Sequence, residues 1–314
     1  MGYEHLQLEI KMKKINRIFI FGDSWMEGQG TFEVETLGEW SNKYPFQING
    51  MIGEKGTIGW KRREESWNKF FREEYNNIEV NNFAEQGASN YRSFELLNEN
   101  LKDFKDTDLI LFGFTSKWRD NSKAIKYAWP DDKHQSLSSG MHRHNVKDEA
   151  YKADLDGSKG FVEKPSEFEK YFYSSIFDEN VYENIAKTNY LYYQTYAKEN
   201  NLNIIFFDLF DRYVDINKCT PELRYLIDKN MYVTFGREMY LEKLIKYEQL
   251  NYDINKMEWN RPENQYTIWE FENGSSPPGK RFPTLDDFDC HPNQFGYKLI
   301  FEDLITYINK NYTI

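Results

Sequence analysis

An α/β domain built around a central parallel sheet is the architecture expected of this 314-residue chain. Short apolar, β-rich runs bounded by turn residues alternate with helical patterns, as in parallel sheets covered on both faces. Hydrophobic residues make up 39% of the chain and aromatics 18%, enough ring area for a sizeable core despite a mean hydropathy of −0.82.

Residues 1–14 (MGYEHLQLEIKMKK) are charged throughout and form a polar leader without the apolar stretch of a secretory signal. The first strand is expected at 15–21 (INRIFIF), a helix at 65–75 (ESWNKFFREEY) and the second strand at 78–84 (IEVNNFA). A helix at 91–104 leads to the third strand at 108–115 (DLILFGFT). The long helical pattern 181–199 precedes the fourth strand at 203–210 (NIIFFDLF), and a helix at 296–309 closes the chain. Right-handed crossovers then join the strands. Two stretches break the rhythm: 120–170 is polar and aperiodic, and 212–287 mixes short aromatic runs with Gly-Ser-Ser-Pro-Pro-Gly. Both are expected as insertions on one edge of a single domain spanning 15–314.

Composition narrows the function. With 40 Lys+Arg against 51 Asp+Glu the net charge is −11, which argues against a general nucleic-acid binder. No apolar run approaches the ~18 residues of a membrane span. Two cysteines, Cys219 and Cys290, exclude a disulfide framework and suit a reducing, cytoplasmic setting. His134, His142 and His144 lie near Asp131 and Asp132, but His-x-His in a polar loop is a weak metal signal, and neither metal nor cofactor is expected. Gly22, Gly28 and Gly30 lack the Gly-x-Gly-x-x-Gly spacing of a dinucleotide loop.

The strongest motif ends the first strand: Gly22-Asp23-Ser24-Trp25. A serine there stands at the carboxyl edge of a parallel sheet, where open α/β folds place their ligands. Position 26 is Met, so this is not the Gly-x-Ser-x-Gly elbow of α/β-hydrolases. Near the other end runs Asp286-Asp287-Phe288-Asp289-Cys290-His291-Pro292. A nucleophilic serine needs a base, and the base needs a carboxylate to orient it; one loop here holds both.

In these residues the chain resembles the SGNH/GDSL hydrolase family, known by a Gly-Asp-Ser near the N-terminus and an Asp-x-x-His-Pro near the C-terminus. The resemblance runs from residue 15 to about 309. It implies a flavodoxin-like three-layer α/β/α sandwich, a Ser-His-Asp site without metal, and hydrolysis or transfer of acyl groups on esters, lipids or carbohydrates. Ser24 is then the nucleophile and His291 the base. The family's acid lies three residues before the histidine, where this chain has Phe288. Asp289 is favoured, because Asp-x-His also occurs in relatives that O-acetylate polysaccharides, and Asp287 is the alternative. Gly87, in the loop after the second strand, matches the family's oxyanion glycine, and the Ser24 N–H joins it. The family's Gly-x-Asn-Asp after the third strand is replaced by Gly113-Phe114-Thr115-Ser116, so Thr115 is the expected substitute donor. Asn90, Trp118 and Arg119 are the expected substrate contacts. Ser89 or Asn90 is also the expected cap of the following helix.

The resulting expectation is a serine esterase acting on a small-molecule or carbohydrate ester, most naturally an O-acetyl group, with no nucleic-acid or membrane partner. Trp118, Trp129, Trp259 and Trp269 offer rings for a sugar-binding wall. The alternatives are an O-acetyltransferase and a catalytically degenerate binding or structural protein on the same scaffold.

Overall fold

The computed structural model describes residues 13–28, 58–76, 78–85, 88–115, 178–209, 212–251, 292 and 294–314. In chain order these form β1 (Lys13–Lys14), β2 (Arg17–Phe21), α1 (Ser24–Glu27), α2 (Ile58–Glu65), α3 (Trp67–Glu74) and β3 (Glu79–Asn82). Next come α4 (Asn90–Asn100), β4 (Asp108–Phe114), α5 (Glu179–Glu199), β5 (Asn203–Asp208) and α6 (Pro221–Leu226). The described chain ends with α7 (Tyr240–Asn251), α8 (Gln294–Asn311) and β6 (Tyr312–Thr313).

All four expected strands form one parallel sheet in the order β3-β2-β4-β5. Ile18 stands beside Val80 on one side and Leu109 on the other, and Gly113 beside Phe207. The strands alternate their side chains between two apolar cores. Ile18, Ile20, Leu109, Leu111, Ile205 and Phe207 face α3, α7 and α8. Phe19, Phe21, Ile110, Phe112 and Phe206 face α4 and α5. The described domain is thus an α/β sandwich with helices on both faces of the sheet. On the second face the rings pack edge to edge and in stacks: Phe94 lies 4.4 Å from Tyr193, and Phe114 lies 4.1 Å from Tyr213. These buried rings explain much of the aromatic content, each worth roughly 1.5–3 kcal/mol of transfer free energy.

Several expectations change. The helix expected at 65–75 is α3, and a further helix, α2, precedes it, the two meeting at Ser66. Gly28 has φ +96°, and a Cβ there would lie 1.9 Å from Ser66 Oγ and 2.9 Å from the Arg62 carbonyl oxygen. Ser66 is therefore where α1 closes onto the α2–α3 corner. Gly28→Ala is expected to cost about 2–4 kcal/mol, from the left-handed φ and the overlap together. Urea denaturation measures it, and a loss under about 0.5 kcal/mol would show that the corner relaxes freely.

The stretch 212–287 is not wholly an edge insertion. Its described part, 212–251, contains α6 and α7 and buries Tyr213, Val214, Tyr232, Val233, Tyr240 and Leu244 in the two cores. Phe206 N–H donates to Met231 O at 2.7 Å and Val233 N–H to Phe206 O at 2.9 Å, so Tyr232 extends the sheet beyond β5. α6 is too short to show a period, and α7 carries a helical apolar spacing at Tyr240, Leu241, Leu244 and Ile245 that the insertion reading passes over. The leader also ends earlier than expected: Lys13 and Lys14 pair in parallel with Tyr312 and Thr313. The stretch 120–170 lies outside the described residues. No helix among the described residues is long and apolar enough to cross a membrane.

Candidate functional site

β2 is flanked by β3 and β4, so the chain steps to one side of β2 and then crosses to the other. The point where strand order reverses lies at the carboxyl ends of β2 and β4, the place where open α/β sheets form a crevice. Gly22-Asp23-Ser24 occupies the end of β2, and Thr115 the end of β4.

Gly22 adopts φ +151° with Met26 folded against it, turning the chain sharply out of β2. Asp23 then caps α1, its Oδ1 accepting from Trp25 N–H at 3.0 Å. α1 has a single turn, which tertiary contacts must sustain. All four of its carbonyls are satisfied, as a helix end requires. Gly28 N–H donates to Ser24 O, Trp67 Nε1 to Trp25 O at 2.9 Å, Asn82 Nδ2 to Met26 O at 2.8 Å, and Ser66 Oγ to Glu27 O at 3.4 Å. Ser24 is 3% exposed, on a turn held from every side.

The loop after β3 is anchored as firmly. Phe83 N–H donates to Ile20 O and Glu85 N–H to Gly22 O, continuing the β2–β3 ladder past the strands. Arg63, on α2, donates Nε and Nη2 to Ala84 O at 3.2 and 2.7 Å. Arg92, on α4, grips the Glu85 carboxylate with two bonds of 2.9 and 2.8 Å. Arg63 is almost wholly buried beside Glu27, and burial pushes its guanidinium pKa down. Its Nη1 has no hydrogen-bond partner among the described residues. Gly87, the expected oxyanion donor, follows this anchored segment and lies outside the described residues.

At the end of β4 the sequence expectation is corrected. Thr115 Oγ1 donates to Asp23 Oδ2 at 2.6 Å, fully buried. A hydroxyl carries one proton, so Thr115 has none left for an oxyanion. Asn90 is likewise not placed as a substrate contact. Its Oδ1 accepts from Thr115 N–H at 3.0 Å and its Nδ2 donates to Thr115 O at 2.9 Å, and it is buried. Ser89 caps α4, accepting from Arg92 N–H. Trp118 and Arg119 lie outside the described residues, as do Asp287, Asp289 and His291.

The neighbourhood of the histidine motif is nonetheless visible. Pro292 is buried, and α8 begins at Gln294. Tyr297, in the first turns of α8, meets the Trp67 ring edge-on at 6.0 Å, and Trp67 holds Trp25 O. The start of α8 therefore packs one side chain away from the serine turn. Arg63, Arg92, Glu85, Trp67 and Asn82 were not anticipated as site residues. Charged helix residues read as solvated surface, and no local pattern distinguishes a buried tether from them. Among the described residues no group of three or more His, Cys, Asp or Glu side chains could hold a metal ion.

In comparisons with known proteins, no family model and no curated protein matches the chain.

Proposed function

We propose that this chain is a serine esterase of the SGNH/GDSL type, cleaving acyl esters and in particular O-acetyl groups on carbohydrates. One observation carries the reading. A Gly-Asp-Ser turn stands at the strand-order reversal of a parallel sheet, with every carbonyl of its helix held and its Asp23 joined to the end of β4. Such anchoring exceeds what a helix cap alone needs and suits a nucleophile whose direction matters.

In this reading Ser24 Oγ attacks the acyl carbonyl while His291 takes its proton. The Ser24 and Gly87 N–H groups receive the developing oxyanion. Collapse expels the alcohol, protonated by His291, and leaves an acyl-serine that water hydrolyses by the same steps. Asp289 holds the imidazole, with Asp287 as the rival acid. In this reading Trp118 and Arg119, just after β4 in sequence, are substrate contacts. A chain of net charge −11 favours neutral acylated sugars over polyanions. Delivery of the acyl group to a sugar hydroxyl instead of water would make the same site a transferase. The missing asparagine at the third block and the displaced acid, Phe288 standing three residues before His291, favour a degenerate binding protein as the second reading.

The test is hydrolysis of p-nitrophenyl acetate by the full chain, with an organophosphonate probe located by mass spectrometry. Phosphonylation at Ser24 and measurable turnover are expected. Asp289→Asn is expected to lower kcat by about 1,000-fold or more, well beyond Asp287→Asn. The reverse ranking moves the acid to Asp287, and an inert Ser24 in the wild type selects the binding-protein reading.

A further inference from the structure

Three buried side chains from three different strand-end segments meet at the serine turn. Asn90 opens α4, after the β3 loop; Thr115 ends β4; Asp23 ends β2. Asn90 brackets the Thr115 peptide with paired bonds of 3.0 and 2.9 Å, which fixes where the Thr115 side chain stands. Thr115 Oγ1 then donates to Asp23 Oδ2 at 2.6 Å, while Asp23 Oδ1 accepts from Trp25 N–H at 3.0 Å. The Asp23 carboxyl group is thus held at both oxygens, one toward β4 and one toward α1. Its backbone carries Ser24 as the next residue, so the carboxyl group ties the first turn of α1 to the end of β4.

We infer that Thr115 and Asn90 are positioning residues, which act on the ester reaction through Asp23 and touch neither substrate nor oxyanion. The inference rests on the serine-esterase reading above. Its physical content is that a short buried hydroxyl-to-carboxyl bond, supported by a bracketed peptide, removes the rotation of Asp23 that would swing the single-turn α1. A displacement of about 1 Å at a reacting atom costs on the order of 100-fold in rate. The arrangement also gives the β4 loop a purpose when the family's asparagine is absent: it stiffens the nucleophile turn, and the backbone N–H groups are left to receive the oxyanion.

The experiment compares Thr115→Val, which keeps the shape and removes the O–H, with Thr115→Ser, which keeps the O–H. Thr115→Val is expected to lower kcat on p-nitrophenyl acetate and the rate of Ser24 phosphonylation by about 10- to 100-fold, with KM within about threefold. Thr115→Ser is expected to restore kcat to within about threefold. A double-mutant cycle with Asp23→Ala separates the two possible routes. If Thr115 acts through Asp23, the valine substitution has little further effect in the Asp23→Ala background. Multiplying effects would mean that Thr115 meets the oxyanion directly and would overturn the inference. A crystal structure of Thr115→Val supplies the readout that does not depend on turnover or on Asp23→Ala folding. It should show Asp23 in another rotamer and α1 displaced; an unmoved turn refutes the positioning role. Wild-type protein that neither turns over nor reacts at Ser24 refutes the esterase reading separately, and the Thr115→Val structure then still decides whether the side-chain chain orients the turn.

Discussion

Ser24→Ala is expected to reduce turnover of an activated acetate ester by about 10,000-fold or more, with the urea midpoint essentially unchanged. Removing the nucleophile of a covalent mechanism leaves only binding and oxyanion stabilisation, which accounts for the size of the loss. The carbonyls of α1 and the side chain of Asp23, which hold the turn, are left in place by the substitution. A buried hydroxyl contributes about 1 kcal/mol at most in such a setting. Far-UV circular dichroism and a denaturation curve establish that the variant is folded before its activity is read. Turnover persisting in pure, folded Ser24→Ala would remove Ser24 as nucleophile, and with it the proposed reaction.

The sheet was legible because its strands are continuous apolar runs. Arg17–Phe21, Asp108–Phe114 and Asn203–Asp208 are buried along nearly their whole length, which only a doubly covered parallel sheet requires. The order of the strands was not written in any one segment; it follows from how the crossovers pack. The missed parts share a physical character. Residues 212–239 form short elements whose burial depends on docking against β5, and these mask the helical spacing of α7 that follows them. The Ser66 break answers to Gly28, thirty-eight positions earlier, through a contact that no local propensity records.

The candidate site divides in the same way. Gly22-Asp23-Ser24 was legible because a turn between strand and helix needs those residue types, and Ser89 was legible as a cap for the same reason. Thr115 is expected as an oxyanion donor and Asn90 as a substrate contact. Position along the chain puts them at this sheet edge, yet only the fold reveals that Asn90 brackets the Thr115 peptide and that the Thr115 hydroxyl donates to Asp23. Arg63 and Arg92 were missed because a guanidinium that tethers a loop looks, in sequence, like any helical arginine.

Asp208 is expected to make stability depend on pH in a direction opposite to the common carboxylate. It ends β5 fully buried, accepting from Tyr232 Oη at 2.5 Å, Thr234 Oγ1 at 2.8 Å and Tyr213 N–H at 3.0 Å. Desolvation outweighs those bonds and raises its pKa from 3.8 to about 6. The folded protein therefore holds this proton more tightly than the unfolded chain. Its contribution is fully present below about pH 4 and is lost as pH rises through about 6, a swing of about 3 kcal/mol. Asp208→Asn keeps an acceptor for Tyr232 and Tyr213 and supplies an N–H toward Thr234, so it should fold while losing the titration. Its stability relative to wild type is expected to improve by about 2.5 kcal/mol between pH 4 and pH 7 in urea titrations. Asp208→Ala, in contrast, strands the Tyr232 hydroxyl and the Tyr213 N–H in the core and should cost about 3–5 kcal/mol at pH 4, where the Asp208 proton still contributes, and less at pH 7. Parallel pH profiles for wild type and Asp208→Asn would show that Asp208 does not titrate in this window. A mild Asp208→Ala would show that the carboxylate does not anchor residues 212–235 to the sheet.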